Sequence, residues 1–465
     1  MIGDDSGVRE HFDTIVVGAG PAGEVIAGEL AAGGQKVAVV ERERVAGECS
    51  FWACMPSKTL LRPSELLIAA KRAPGAAEAI TGELNVAEAL KWRDRMVSNW
   101  DDSGYVTWLT DRGIELVRGT ARLVGDGGVD VEERRLQADN IVLATGSKPA
   151  IPPIDGLSES RFWSNREATG AHEIPERLLV LGGGAVGVEL SQAYARFGAS
   201  VALIEGADRI LPGEDPRLSA AITAALKLDG VEIHTGVTAQ KVHGGEHEQR
   251  VELSDGSELR GNQLLVATGR RPASDDLGLE ALPIKLERGA IEVDKRLRAA
   301  PGIYAIGDVN AVHMTTHTGK YQARIVAAEI LGHGYDADYH AIPRVVYTDP
   351  NAVGIGHTPE SATADGIDVI LGTGSVADTA ASSIVRADWR DAVDEFLTLV
   401  GDAKSGKVVG AFAVGPHAAD WMGQATLAVQ TRVDAIALAR TIQPFPALSE
   451  VFTLAARDLV GNLKR

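Results

Sequence analysis

Cysteine is scarce in this sequence. Only two cysteines, Cys49 and Cys54, occur among the 465 residues, which excludes a disulfide-stabilised secreted scaffold. They lie five positions apart, so the two thiols can close a small-ring disulfide. The stretch that follows, 55–67, has the apolar spacing of a helix, which places Cys54 near a helix N-terminus where the dipole stabilises a thiolate. We therefore interpret the pair as a redox dithiol rather than as two buried, inert neighbours.

Basic residues are also in deficit, and long apolar runs are missing. Lys and Arg number 46 against 64 for Asp and Glu, a net charge of −18, which argues against nucleic-acid and anionic-membrane partners. No apolar stretch reaches the length of a membrane span, and residues 1–10 lack the features of a signal peptide. We expect a cytoplasmic protein and assign no metal ligands. In that compartment a close cysteine pair is more often catalytic than structural.

Glycines mark a first dinucleotide site. The apolar run 12–17 predicts a buried strand, and the sequence G-A-G-P-A-G follows it before a helical pattern. In such a turn Gly18 makes the bend, Gly20 admits a pyrophosphate and Gly23 lets helix and strand pack closely. Glu41, at the end of the next strand, is placed to accept hydrogen bonds from a ribose diol. A glycine-rich turn without a ligand is the alternative.

The same pattern returns later in the chain. A predicted strand at 177–181 leads into G-G-G-A-V-G, which contains Gly182, Gly184 and Gly187, and the following strand ends at Glu205. The physical reasoning is the same as for the first unit. Two such units in a chain with a dithiol imply two different dinucleotides.

The two glycine-loop units share a further motif, and other recognisable segments follow them in the chain. Both units run into an A-T-G turn, which ends at Gly146 in the first and at Gly269 in the second, and we interpret this as an internal duplication. Asp308 follows a strand-like stretch, where a carboxylate suits a polyol hydroxyl. From Tyr339 the pattern becomes α+β without a nucleotide signature, which favours a dimerisation platform.

Helical periodicity predicts three further segments. The helix after the dithiol runs to about Arg72 and is expected to kink or divide at Pro63. A second helix is expected over 86–112, and a third over 418–430.

Taken together, the motifs resemble those of the flavin-dependent pyridine nucleotide-disulfide oxidoreductases, a family that includes lipoamide dehydrogenase, glutathione reductase and mercuric reductase. The resemblance rests on G-A-G-P-A-G, C-x4-C-M-P-S-K, G-G-G-A-V-G-V-E, A-T-G-R-R-P, Gly307-Asp308 and Tyr347-Thr348-Asp349-Pro350. It implies an α/β fold with two Rossmann-like dinucleotide-binding domains and a C-terminal α+β dimerisation domain. The implied FAD-binding and central domain is 1–155 with 272–336, the NAD(P) domain 156–271 and the interface domain 337–465.

The resemblance also implies roles for individual residues. Cys54 would be the charge-transfer thiol and Cys49 the interchange thiol, while Lys58 would lie near the flavin and pair with Glu189. The residues implied in FAD binding are Gly18, Gly20, Gly23, Glu41, Lys58, Gly146 and Asp308. Those implied in NAD binding are Gly182, Gly184, Gly187, Glu205 and Gly269. Such enzymes are homodimers whose active site uses the partner's tail.

The choice of nicotinamide cofactor can be argued from charge. A carboxylate at Glu205 accepts from a ribose 2′-hydroxyl and repels a 2′-phosphate, and the third glycine, Gly187, also fits an NAD site. Arg209 lies four residues on and could meet a phosphate. We prefer NADH to NADPH.

The tail departs from the family pattern. Disulfide reductases of this family carry His-x4-Glu, and here Glu450 matches the glutamate while Phe445 stands in place of the histidine. Phenylalanine cannot move a proton, and losing such an acid-base would cost on the order of 10²- to 10⁴-fold in rate. Glu450 is then either structural or acts alone. The tail argues against efficient reduction of lipoamide or glutathione disulfide.

The loop between the cysteines departs too. Phe51 and Trp52 either pack where the helix begins or line an apolar mouth that, with the partner's Phe445, suits a flat oxidant such as a quinone.

We expect an NAD(P)H-dependent FAD enzyme that passes electrons through the dithiol to a small acceptor, or oxidises a dithiol in reverse. The alternatives are a quinone or dye reductase, a mercuric reductase-like enzyme, although the tail has no cysteine pair, and a flavin-binding subunit with little catalysis.

Overall fold

The computed structural model describes residues 10–245, 248–385 and 393–463. The chain divides into two compact units, each built from three segments. The first unit comprises Met1–Pro56, Asp94–Ala150 and Arg270–Asp338, and the second comprises Ser57–Arg93, Ile151–Gly269 and Tyr339–Arg465.

A mostly parallel sheet forms the centre of the first unit. Apolar residues alternate between its faces: Ile15 and Val17 pack into one buried cluster, while Val16 packs into the other. Because both faces are covered, the strands are continuous apolar runs. The sheet path is Arg298–Ala300, Ile303–Ala305, Arg134–Leu143, Glu10–Val17, Val37–Glu41 and Glu115–Arg118, with Ala121–Gly125 and Gly128–Val131 attached.

Helices and short strands complete the first unit. Its main helices are Pro21–Ala32, Gly47–Phe51, Ser103–Thr110 and Thr316–Ile330, with 3₁₀ turns at Ser98–Trp100, Leu279–Ala281 and Gly307–Asn310. The short pairs of strands are Ser147–Pro149 with Arg270–Pro272 and Leu286–Glu287 with Ala290–Ile291. The helix Cys54–Arg72 begins at the end of a segment of this unit, but most of it belongs to the second unit. The turn Ala77–Ala79 and most of the helix Val86–Met96 also belong to the second unit.

The second unit contains another parallel sheet of the same type. Its order is Glu232–Thr235, Ser200–Glu205, Arg177–Leu181 and Gln263–Val266. Three antiparallel strands, Ala239–Gly244, Gln249–Leu253 and Glu258–Gly261, form a separate small sheet. The helices here are Asn165–Gly170, Ala185–Arg196 and Pro216–Leu228.

The C-terminal part of the second unit is α+β. A five-stranded antiparallel sheet runs in the order Pro343–Val346, Asn351–Gly356, Val408–Gly415, Phe396–Asp402 and Val369–Ser375. Gly372 lets the last helix lie directly on the sheet, because a Cβ there would meet the Ala455 carbonyl and Leu459. The helices are Pro359–Ala364, Ser382–Val385, Ala418–Trp421, Gly423–Gln430, Ala435–Ala439 and Val451–Leu463, with 3₁₀ turns at Val376–Asp378 and Leu448–Glu450.

The predicted fold class is confirmed, but several element boundaries were wrong. The helix Cys54–Arg72 is not divided at Pro63 but continues through it, and the neighbouring Leu60 and Leu61 lie in a buried cluster. A kink at Pro63 stays a prediction. The helix expected over 86–112 is broken at Ser98–Trp100, where the backbone turns left-handed. The helix expected over 418–430 is split at Met422. Among the described residues, no helix is long and apolar enough to cross a membrane.

Candidate active site

Two helix starts bring the cysteines together. Cys49 lies in the short helix Gly47–Phe51, and Cys54 is the first residue of Cys54–Arg72, as the apolar spacing predicts. Both cysteines are in the dithiol form and partly buried. Thr316, at the start of another helix, places its Oγ1 3.4 Å from the Cys54 Sγ.

The surroundings of Cys49 favour its protonated form. The hydrogen bond from the Cys49 thiol to Cys54 and the burial of Cys49 both raise the pKa of Cys49, and Thr316 and Lys320 lower it by less. The proton therefore stays on Cys49. This arrangement leaves Cys54 as the sulfur that accepts a hydrogen bond.

The aromatic residues between the cysteines serve mainly as packing. Phe51 is only 1% exposed, and its ring lies 5.7 Å from Trp52 and 6.0 Å, edge-on, from Tyr105. Trp52 is half-buried beside it. Of the two interpretations of this loop, packing holds for Phe51, which is too buried to line a mouth.

The first glycine loop has the shape that a pyrophosphate needs. Gly18 has a φ of 101°, and a Cβ at Gly23 would collide with the Gly18 carbonyl oxygen. A Cβ at Gly20 would meet nothing within 4 Å, so the backbone is open to a ligand there. The site therefore fits a dinucleotide.

Glu41 closes this loop through its carboxylate. The Ala19 N–H donates to Oε2 at 2.8 Å and the Glu43 N–H donates to Oε1 at 2.7 Å. Burial raises the pKa of Glu41, and these two backbone hydrogen bonds oppose the rise. Each oxygen keeps a lone pair for a ribose hydroxyl.

The second glycine loop repeats this geometry. Gly182 has a φ of 107°, Gly187 packs on the Gly182 carbonyl, and Gly184 is open. Glu205 accepts from the Gly183 N–H at 2.6 Å and from the Ala207 N–H at 2.8 Å. The same pair of hydrogen bonds at the same chain offsets supports the interpretation of a duplication.

The A-T-G turns, 144–146 and 267–269, lie against these loops. A Cβ on Gly18 or on Gly182 would meet the alanine carbonyl of the corresponding turn. Gly146 and Gly269 end the turns with φ values of 74° and 117°, and a Cβ on either would meet nothing within 4 Å. The repeated turn thus explains why the first glycine of each loop has no side chain.

Asp308 belongs to a polar chain that sequence reasoning missed. The Ser147 hydroxyl donates to its Oδ2 at 2.5 Å, and Arg270 donates to the Ser147 hydroxyl at 2.6 Å and carbonyl at 2.9 Å. Arg270 also reaches Glu48, the neighbour of Cys49, at 3.5 Å. Ser147 and Arg270 both follow directly after an A-T-G turn, and this shared position was the available signal.

Lys58 and Glu189 form the ion pair that the resemblance implies. Lys58 Nζ lies 2.6 Å from Glu189 Oε2, and the other carboxylate oxygen of Glu189 accepts from the Tyr347 N–H at 2.9 Å. Lys58 Nζ also stands 4.7 Å from the centre of the Tyr347 ring. The contact with a flavin stays a prediction.

Glu450 is engaged with the backbone of its own surroundings. Its Oε2 accepts from the Ala380 N–H at 3.2 Å and from the Ala447 N–H at 3.4 Å. The preceding segment leaves Phe445 77% exposed and Ile442 95% exposed. These contacts favour the structural interpretation of Glu450.

Comparisons with known proteins decide the family. Residues 12–323 match the pyridine nucleotide-disulphide oxidoreductase model, and residues 342–456 match the dimerisation domain of the same family. The chain belongs to the pyridine nucleotide-disulphide oxidoreductase family. Its members use FAD and a pyridine nucleotide, so the chain is an oxidoreductase, and its dimerisation domain supports a homodimer.

Relatives with different substrates resemble the whole chain. It is 35% identical to dihydrolipoyl dehydrogenase of Geobacillus stearothermophilus, over 97% of this chain and 96% of that protein. It is 31% identical to mercuric reductase of Staphylococcus aureus, over 96% of this chain and 82% of that one. A solved Cu(II) complex of the HOCl-induced flavoprotein disulfide reductase RclA from Escherichia coli superposes with a TM-score of 0.86 at 26% identity, over 97% of this chain and 99% of RclA.

Proposed function

We propose that this family member is an NADH-dependent flavoenzyme that moves electrons between a nicotinamide, FAD and the Cys49–Cys54 pair, and passes them to a small disulfide or another small acceptor. The observation that carries the proposal is the placement of Cys49 and Cys54 in two successive helices, with Cys54 the first residue of a 19-residue helix and its Sγ 3.4 Å from Thr316 Oγ1. In reverse, the enzyme would oxidise a dithiol with NAD⁺.

The cofactor residues divide between the two units. FAD would bind the open loop of Gly18, Gly20 and Gly23, with Glu41 on a ribose and Asp308 on a polyol. When bound, FAD supplies two-electron transfer between the nicotinamide and the disulfide. The chain's own part is to hold the proton on Cys49 and to present Cys54, while the ion pair with Glu189 fixes the Lys58 ammonium.

NADH is the cofactor that the second loop favours. Glu205 offers both carboxylate oxygens at the position of a ribose diol. Arg209, the residue that could attract a 2′-phosphate, is instead turned to Asp208 at 3.3 Å and to the Pro212 carbonyl at 3.1 Å. A 2′-phosphate would therefore meet a carboxylate rather than a guanidinium.

The part of the active site that would meet the electron acceptor lacks a proton carrier at position 445. Because Phe445 cannot relay a proton, we propose an acceptor that does not depend on a tail histidine. The resemblance to mercuric reductase supports a second candidate, reduction of a thiophilic metal ion, since two adjacent sulfurs suit a soft cation. A quinone or dye is the third, and it would take electrons without the dithiol.

The assembly and the domain limits are part of the same proposal. We propose a homodimer in which the exposed tail around Phe445 meets the partner subunit. We also propose the FAD-binding and central domain as 1–155 with 272–336, the NAD domain as 156–271 and the interface domain as 337–465. A cytoplasmic location stays a prediction.

Anaerobic titration of the yellow, FAD-loaded protein with NADH tests the electron path. We expect a long-wavelength thiolate-to-flavin absorbance band at two-electron reduction. Cys54→Ser should abolish the band. Cys49→Ser, which has no disulfide to accept electrons, should show the band before NADH is added and lose it as NADH reduces the flavin. If the wild-type flavin bleaches without a band, the dithiol does not lie on the electron path. If Cys54→Ser still shows the band, the assignment of Cys54 as the donor sulfur is wrong.

An acceptor panel separates the candidate functions. Lipoamide, low-molecular-weight disulfides, Hg²⁺ and quinones are compared in wild type, Cys49→Ser and Phe445→His. We expect Phe445→His to increase disulfide reduction at least tenfold while quinone reduction is unchanged. Wild-type lipoamide turnover equal to that of a relative with the tail histidine would refute the argument from Phe445.

A further inference from the structure

A short connector, residues 44–47, joins the first glycine loop to the dithiol. The Ala46 N–H donates to the Ala19 carbonyl at 2.8 Å, and a Cβ on Gly47 would stand 2.9 Å from the Cα of Gly20. Ala46 and Gly47 both have left-handed φ values, 79° and 58°. The connector is therefore fixed to the loop on one side and leads directly into the helix of Cys49 on the other.

A left-handed turn holds the connector from outside. Ser98–Trp100 has φ values of 50°, 49° and 59°, a left-handed conformation that residues with a Cβ rarely adopt in succession. Such a conformation persists only where its surroundings fix it. Arg44 Nε donates to the Trp100 carbonyl at 2.6 Å, and the Val45 N–H donates to Asp102 Oδ2 at 2.9 Å.

The same arginine covers the aromatic residues of the dithiol loop. The Arg44 guanidinium lies 5.6 Å from the centre of the Trp52 ring and 6.0 Å from that of Phe51, within reach of a cation–π attraction. Phe51 and Trp52 are two of the four residues between the cysteines. One side chain thus contacts both the strained turn and the segment that a disulfide would close into a ring.

We propose that Arg44 is a positioning residue that preorganises the Cys49–Cys54 loop for disulfide formation. Its contacts involve rings and a carbonyl rather than the sulfurs, so both redox states retain them. In the disulfide state the S–S bond already restrains the Cys49–Cys54 loop, whereas in the dithiol state the contacts of Arg44 are the main restraint. Loss of these contacts therefore gives conformational freedom chiefly to the dithiol state, and the dithiol–disulfide equilibrium moves toward the dithiol.

The test measures the dithiol–disulfide equilibrium of the FAD-loaded protein. Wild type and Arg44→Met are equilibrated with mixtures of reduced and oxidised dithiothreitol, quenched in acid and scored by the mass of thiol labels. One S–S bond forms between Cys49 and Cys54 as one breaks in oxidised dithiothreitol, which takes up two electrons and two protons. We expect the equilibrium constant for the protein disulfide to fall about tenfold, which corresponds to about 30 mV.

Three further variants make the result specific. Arg42→Met removes an exposed arginine two residues away, paired at 3.9 Å with Glu43, and should leave the equilibrium unchanged. Arg44→Lys keeps the charge and should recover part of the loss. Trp52→Leu removes the aromatic ring that Arg44 contacts and should reproduce the shift toward the dithiol. It replaces Arg44→Met in the test if that variant does not fold.

The outcomes separate this inference from the proposed function on which it rests. An unchanged equilibrium in Arg44→Met, a shift toward the disulfide, or an equal shift in Arg42→Met would overturn the role of Arg44. A wild type that forms no Cys49–Cys54 disulfide at any dithiothreitol ratio would instead overturn the dithiol as the redox centre.

Discussion

The carboxylate of Glu189 joins Lys58 to the backbone of Tyr347. One oxygen lies 2.6 Å from Lys58 Nζ, and the other accepts from the Tyr347 N–H at 2.9 Å. Glu189 is buried, whereas the Lys58 side chain is about one-third exposed. The buried carboxylate therefore holds the more exposed ammonium group, and the ion pair gives Lys58 a defined position.

Glu189→Gln tests this positioning. The amide keeps the shape and the hydrogen bond from Tyr347 but removes the negative charge, so the Lys58 ammonium loses its ion-pair partner. We expect NADH-driven flavin reduction to slow by about 10- to 100-fold, in the range by which misplacement of reacting groups lowers rates. Single-turnover stopped-flow spectroscopy measures it. Lys91→Met, which breaks an exposed pair with Glu88, is the control, and equal slowing in both variants would contradict the prediction.

A buried arginine connects three parts of the second unit. Arg196 is 5% exposed and donates to Asp229 at 3.0 Å and to Asp349 at 3.1 Å. Arg196→Met would remove the cation that these two largely buried carboxylates share, and we expect a loss of about 3–5 kcal/mol in stability. Urea unfolding followed by circular dichroism measures it. Arg177→Met, which breaks an exposed pair with Glu232, should change stability by less than about 1 kcal/mol.

Glu24 makes stability depend on pH. Burial raises the pKa of Glu24 from 4.5 to about 7, against the weaker opposing effect of Lys320. The folded chain then holds a proton that the unfolded chain releases, so the contribution is complete below pH 4.5 and is lost as pH rises through 7. Glu24→Gln should therefore raise the melting temperature by a few degrees at pH 8 and hardly at all at pH 5.

A neighbour on the same helix provides the control for Glu24. Glu29 is exposed, and Glu29→Gln should shift the melting temperature equally at both pH values. Calorimetry of the FAD-loaded protein at pH 5, 6, 7 and 8 gives the comparison. A stabilisation by Glu24→Gln that is largest at pH 5 would show that the sign is wrong.

Local signals were enough to predict the elements nearest the chemistry. The glycine spacing and the terminal carboxylates predicted both loops, because a bend, an open backbone and a ribose acceptor are each set by one residue type. Helical periodicity likewise placed Cys54 at a helix start. The pairing of Lys58 with Glu189 came from family resemblance, since residues 131 positions apart in the chain carry no local sign of contact.

Other features depend on tertiary context. Nothing in Ser-Asn-Trp demands the left-handed turn at 98–100, and its contact with Arg44 joins residues 56 positions apart in the chain. The polar chain from Glu48 through Arg270 to Asp308 forms only when the stretches that follow the two A-T-G turns pair as antiparallel strands. The strand Val369–Ser375 was missed because its glycines, which accommodate the last helix, weaken the strand pattern.

Glu205 should decide which nicotinamide cofactor binds. Glu205→Ser removes the carboxylate that we propose accepts a ribose diol and repels a 2′-phosphate. NADH affinity should therefore fall about tenfold, the equivalent of about one charged hydrogen bond, while NADPH affinity rises. Fluorescence titration with each nucleotide measures both constants. Glu41, which occupies the equivalent position in the first glycine-loop unit, provides the internal control. Glu41→Gln should weaken FAD retention without altering the ratio of NADH to NADPH affinity. A Glu205→Ser protein that keeps the wild-type ratio would assign cofactor choice to residues other than Glu205.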